Sequence, residues 1–232
     1  LDGTLVDSVY DHVLAWHDAL LEEGFDVSVW RLHRKIGMSG GLFTKALARE
    51  TGREFDTELL ERLRKLHAKH YSARSPRTRP LPGAKELLAY LTDNGIPWAI
   101  ATSGRMETAG PVLKILGVDP TRVTVITRDL VRYAKPDPDL FLAAAEKLGV
   151  DIESSCVVGD AIWDMLAARR ARALGIGLLS GGYGQEELER AGLLPPEPDE
   201  PEEEEDDEPD EYPGGDALSE EQAERIGCIV GS

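Results

Sequence analysis

From residue 84 onward, short apolar runs that close on small polar residues alternate with helical segments, and this alternation restricts the fold more than any other feature. The runs are "PWAIATSG", "VTVITRD", "SSCVVGD" and "ALGIGLLSG"; the helical segments are 84–94, 106–116, 138–148 and 162–173. Apolar strands separated by helices at this spacing predict a parallel sheet covered by helices on both faces. Ligands of such sheets sit at the carboxyl ends of the strands. The polar residues that close the runs, Thr102, Ser103 and Asp160, are therefore expected to converge there, together with Asp2 from the opening "LDGTLVDS".

Residues 9–72 read differently, as helix after helix. In "VYDHVLAWHDALLEEG", Val9, Val13, Trp16, Leu20 and Leu21 share one stripe, with Gly24 as a stop. Three prolines and a glycine in "RSPRTRPLPGA" mark a connector. The expected organisation is an α/β core from residues 1–8 and 81–194, an inserted helical unit at 9–80, and an acidic tail at 195–232. The tail sequence "EPDEPEEEEDDEPDE", residues 197–211, holds 12 acids and no base, so the rest of the chain carries only −5 of the formal −17. Like charges at this density repel and offer little apolar surface to offset chain entropy, so disorder is expected there. The closing "ALSEEQAERIGCIVGS" reads as a helical turn and a short apolar end.

The basic residues form no dominant field, which argues against nucleic-acid binding. No apolar run approaches the length of a membrane span, and no leader precedes the body, so the cytoplasm is the expected location. Cys156 and Cys228 are too few and too scattered for a disulfide framework or zinc cluster. His12, His17, His33, His67 and His70 read as surface or interface residues, and Trp16, Trp30, Trp98 and Trp163 as packing.

Four elements carry chemistry: "DGTLVDS", "ATSG", "AKPDPDLF" and "VVGDAIWDM". Thr102, Ser103 and Gly104 precede a helix and offer hydroxyl and N–H donors to a phosphate, although a Thr-Ser-Gly there also serves as a plain cap. Asp160 and Asp164 stand four apart at a helix start, where two carboxylates repel unless a cation joins them. In this order, and with a helical insertion after the first, the four elements resemble the haloacid dehalogenase superfamily, in the capped phosphatase branch that includes phosphoglycolate phosphatases. The resemblance covers about residues 1–192.

It implies a Rossmann-like parallel sheet sandwiched by helices, with the insertion as a cap and the cap supplying specificity. The family's first motif runs Asp-X-Asp-Gly-Thr, so Asp2 corresponds to the second Asp, the acid/base, whose carbonyl also ligates metal. The nucleophilic Asp would be the residue immediately before Leu1, and the central first strand would precede it, between the strands ending at Thr102 and Asp160. On this reading a chain starting at Leu1 is expected to be inactive and poorly stable. The resemblance also makes Lys135 the ammonium that pairs with phosphate and nucleophile, and Asp160 a metal ligand. Asp164 is either a second ligand through water or the partner of Lys135. In the loop "KIGMSGGLF", Ser39 would donate to substrate while Gly37, Gly40 and Gly41 allow close approach, or the glycines serve only the turn.

A carboxylate that attacks an anionic ester needs its repulsion cancelled, which implies Mg²⁺. Asp2 and the acidic pair argue against the dehalogenating members, and no cap lysine stands out as a Schiff-base former of the phosphonate-cleaving kind. The expected activity is hydrolysis of a small phosphorylated metabolite, such as phosphoglycolate or a sugar phosphate, through an aspartyl-phosphate, by a monomer or weak dimer. The rivals are a sugar-phosphate mutase of the same architecture and an incompetent fragment or interaction protein.

Overall fold

The computed structural model describes residues 1–192 and 227–231. In chain order the elements are β1 (Val6–Asp7), α1 (Val9–Glu22), α2 (Val29–His33), α3 (Gly40–Thr51), α4 (Thr57–Arg74), β2 (Arg79–Pro80), α5 (Ala84–Asp93), β3 (Trp98–Ala101), α6 (Met106–Leu116), β4 (Thr124–Ile126), α7 (Asp139–Leu148), β5 (Ser155–Gly159), α8 (Ile162–Ala171), β6 (Leu174–Gly177), α9 (Gln185–Gly192) and β7 (Gly227–Gly231).

Five strands form a parallel sheet in the order β4-β3-β7-β5-β6. Side chains alternate across it, as a period of two requires. Ile100 and Cys156 face one layer with Leu88 of α5 and Val112 and Leu113 of α6. Ala99, Ala101 and Val157 face the other, against Phe141 and Ala144 of α7 and Ala167 of α8. Small alanines on the second face let Phe141 lie close to the sheet, and it is fully buried.

The central position holds a departure from the sequence expectation. The strand that the resemblance places before Leu1 has its slot, between β3 and β5, filled by β7, which pairs parallel with both (Ile100↔Val230, Val158↔Val230). An empty slot there would leave two facing rows of backbone donors and acceptors unpaired in the middle of the sheet. The short apolar end of the chain satisfies both rows. Residues 227–231, assigned above to the acidic tail, are thus the central strand of the sheet, whereas the acidic run itself lies outside the described residues.

The helical unit is bounded by β1 and β2, which pair antiparallel (Val6↔Pro80, Asp7↔Arg79), so the chain leaves and re-enters the sheet at one point. Its helices have ordinary signals. The Ser39 hydroxyl accepts from Leu42 N at the start of α3, which ends on Gly52 in the left-handed region; the Asp56 carboxylate accepts from Leu59 N at the start of α4. The four helices enclose their own core, including Val13, Leu20, Leu32, Phe43, Leu47 and Leu63. Among the described residues no helix is long and apolar enough to cross a membrane.

Candidate active site

Between the helical unit and the carboxyl ends of the strands lies a cavity of about 300 Å³. The ends of β3 and β5 deliver Thr102, Ser103, Gly104 and Asp160 to its wall, and the segment before β1 brings Asp2 there. This is the convergence expected from the strand ends.

Beneath that wall sits a buried ion pair. Lys135 Nζ donates to Asp164 Oδ1 at 2.7 Å, with both side chains fully buried. The other oxygen of Asp164 accepts from Ala161 N at 3.1 Å. Both carboxylate oxygens are therefore engaged by protein, and of the two roles left open for Asp164 the geometry has the partnership with Lys135. Gly159 makes room for it, because a Cβ at that position would overlap the Asp164 side chain.

Asp160 is also buried, and the Thr4 hydroxyl donates to its Oδ1 at 2.8 Å. Burial first, and the Asp164 charge second, push its carboxyl up to about 7. The backbone closes around it. A Cβ on Gly3, whose φ of +73° favours glycine, or on Gly181 would overlap Asp160 Oδ2. A buried carboxylate that its surroundings drive toward the protonated form is a group that a hard cation would return to the charged state. An oxygen donor such as Asp160 fits an oxygen-seeking divalent cation that keeps several waters. Among the described residues no three His, Cys, Asp or Glu side chains cluster to hold an ion by themselves.

Asp2 is governed by the helical unit. Ser8 Oγ donates to its Oδ1 at 2.5 Å and His12 Nε2 lies 3.3 Å from the same oxygen. Burial opposes ionisation, but the charge and hydrogen bond of His12 and the Ser8 hydroxyl outweigh it and hold the carboxyl well below the usual range. Behind it His12 Nδ1 meets His67 Nε2 at 3.2 Å, and His67 stacks on Trp16 with ring centroids 4.3 Å apart. Burial and the neighbouring His12 hold His67 well below its ordinary pKa.

Thr102 is buried, and its hydroxyl accepts from Gly104 N at 3.0 Å, closing the turn into α6. Ser103 Oγ donates to Gly37 O at 3.1 Å, across the junction with the helical unit. Ser39, read above as a substrate donor, is instead spent on capping α3; its backbone N–H donates to Lys135 O at 2.7 Å, and its side chain is not among the cavity-lining groups. Gly40 and Gly41 have open space around them, so no close backbone contact explains them.

His12 and His67 line the cavity at the interface between the helical unit and the sheet, and Trp16, which packs on the helical core, lines it too. His33 is buried, with Nε2 2.7 Å from Gly181 O. The spacing of His12, four residues after Ser8 at the start of α1, is the one signal that links it to the opening motif; His67 has none, because only the packing of α4 on α1 brings it near.

A family model for haloacid dehalogenase-like hydrolase matches residues 1–172. The chain is 35% identical over 195 residues to a phosphoglycolate phosphatase of Neisseria meningitidis, covering 81% of each chain. It is 33% identical over 163 residues to hexitol phosphatase A of Escherichia coli, covering 69% of this chain and 72% of the relative. Among solved structures, a hydrolase from Pseudomonas syringae superposes with a TM-score of 0.81 at 56% identity, over 84% of this chain and 89% of that one. With the motif residues gathered at one cavity and these matches behind them, the chain belongs to the haloacid dehalogenase-like hydrolases, on the side of the family where its relatives are phosphatases.

Proposed function

We propose that the protein is a Mg²⁺-dependent phosphatase for a small phosphate monoester, of phosphoglycolate or sugar-phosphate size, acting through an aspartyl-phosphate. The observation that carries this reading is the single cavity bordered by Asp2, Thr102 and Asp160 with the Lys135–Asp164 pair sealed under its floor. Thr102, Ser103 and the N–H groups that open α6 would receive the phosphoryl oxygens. Asp160 and the Asp2 carbonyl would hold the cation, which when bound supplies the positive charge that lets a carboxylate approach an anionic ester.

Asp2 would give a proton to the leaving oxygen as the phospho-enzyme forms and then take one from the water that attacks it. Ser8 and His12 fix its orientation, the condition under which general acid–base catalysis contributes about 10²–10⁴-fold. The nucleophile belongs one residue before Leu1. In support of that place, the Leu1 nitrogen is buried in the field of Asp2, Lys135, Asp160 and Asp164.

The test is orthophosphate release with Mg²⁺ over a panel of phosphate monoesters, run on the chain from Leu1 and on the same chain preceded by Asp. Activity is expected only in the extended protein and only with the metal. Isomerisation of a sugar phosphate without release would replace hydrolysis by mutase chemistry, and silence of the extended protein over the whole panel would reject the enzyme reading.

A further inference from the structure

The cavity wall facing the sheet is aromatic and apolar, and its charged side chains are already engaged. Trp16, Phe43, Met38, Ile36 and Ala68 line it together with His12 and His67. The rings form a connected set: Trp16 lies 4.6 Å from Phe43 and 4.3 Å from His67, centroid to centroid, and His12 stacks on Tyr71 at 3.9 Å.

The polar groups of the same wall have partners within the protein. Lys35 Nζ donates to Glu50 at 2.7 Å and to Arg31 O at 2.9 Å. His12 lies between Asp2 and His67, and His33 is held on Gly181 O. The Thr44 hydroxyl donates to Gly41 O at 3.1 Å, and Arg64 pairs with Glu61 at 3.3 Å. On the opposite rim, Arg105 pairs with Asp129 at 3.0 Å.

These engagements bear on the leaving group. A polyol placed against this wall would surrender hydration without gaining the donors and acceptors its hydroxyls need, which costs binding for every group left unsatisfied. A carboxylate would find Lys35, Arg64 and Arg105 already paired with Glu50, Glu61 and Asp129, the last two pairs exposed and weak, and Arg128 on the rim donating to the Val131 carbonyl at 2.7 Å. A flat apolar ring loses nothing of that kind. It gains ring contact with Trp16, which Phe43 backs from the helical core, as well as burial. The volume of about 300 Å³ is at the small end for ligand sites, enough for one ring and a phosphoryl group.

We infer that the substrate is a phosphate monoester whose leaving alcohol carries a single aromatic ring, held between the strand-end phosphoryl site and the Trp16–Phe43 wall. This rests on the phosphatase reading for the phosphoryl half and adds the identity of the other half. Specificity of this kind comes from the wall rather than from the motif residues, since the phosphoryl group is common to every candidate.

Equilibrium binding tests it without depending on turnover. Calorimetric titration of the full chain with Mg²⁺ would use orthophosphate, phenyl phosphate, phosphoglycolate and glucose 6-phosphate. Phenyl phosphate is expected to bind about tenfold more tightly than either metabolite. The Trp16→Ala variant should lower the ratio of phenyl phosphate to orthophosphate affinity, and Phe43→Leu should lower it less. If that substitution unfolds the helical unit, the unmodified chain's ranking still decides. Binding of orthophosphate with phosphoglycolate or glucose 6-phosphate equal to or tighter than phenyl phosphate would overturn the aromatic assignment alone. No binding of orthophosphate would overturn the phosphoryl site, and the inference with it.

Discussion

On the sheet side of the cavity charge is buried and closely paired, whereas on the helical side the polar groups are partly wet and the buried surface is aromatic. Lys135 and Asp164 have no exposed side-chain area, and Asp160 is wedged between Gly3 and Gly181. Lys35 pairs with a Glu50 side chain that is 28% exposed. A buried, fully paired site holds its geometry but tolerates little change, because each member leaves an uncompensated charge when removed. A wall of rings over a wet rim can be repacked. The difference separates the part of the molecule suited to chemistry from the part suited to choosing a substrate.

The largest test of this contrast is removal of a cation from each side. Lys135→Met would strand Asp164 in the interior and is expected to cost about 3–5 kcal/mol in urea denaturation. Lys35→Met, which leaves Glu50 able to reach water, should cost clearly less. Equal losses would erase the distinction between the walls.

Glycines offer a second comparison with opposite signs. Gly3→Ala places a methyl group on Asp160 and Val9 at a backbone position with φ of +73°, for an expected loss of about 1–3 kcal/mol. The same substitution should abolish the rise in melting temperature produced by Mg²⁺, since Asp160 is displaced. Gly41→Ala lies in the first turn of α3 with open space around it. It should gain about 0.4–1 kcal/mol by restricting the unfolded chain. Loss at Gly41 would mean that the helical wall is as tightly built as the sheet side.

The two sides also differ in how far the sequence reveals them. The strands at Trp98–Ala101, Thr124–Ile126 and Ser155–Gly159 fall inside apolar runs because they are largely buried and need apolar side chains on both faces; Leu174–Gly177 falls inside the fourth run although it is an exposed edge strand. Asp2, Thr102 and Asp160 follow from their places at strand ends. Ser39 was misread because its hydroxyl competes locally: a serine before a helix caps it more cheaply than it waits for a ligand. His67 and Trp16 were invisible as site residues because their stripe is also the packing stripe of a helix, and periodicity does not tell a core from a cavity. Residues 227–231 were unreadable for another reason. Three apolar side chains between two glycines, after an acidic run, carry no sign of which strands they will pair with, and only the pairing with β3 and β5 in the fold decides it.

The smallest effect concerns the seam that joins the two walls. Tyr183 is buried, its hydroxyl donates to Arg34 O at 3.2 Å, and the Arg34 guanidinium lies 4.4 Å from the ring centroid. Burial pushes the phenol up to about 12, so it remains a donor at neutral pH. Tyr183→Phe keeps the ring and removes one hydrogen bond, for a cost of about 0.5–1.5 kcal/mol. His33 still holds Gly181 O at 2.7 Å, so α2 stays attached to the loop that shelters Asp160. Amide hydrogen exchange should therefore quicken modestly over residues 29–39 and remain unchanged at β3. Faster exchange in both places would make the two walls one cooperative unit, and the helical side would then have no freedom to move or repack apart from the chemistry beneath it.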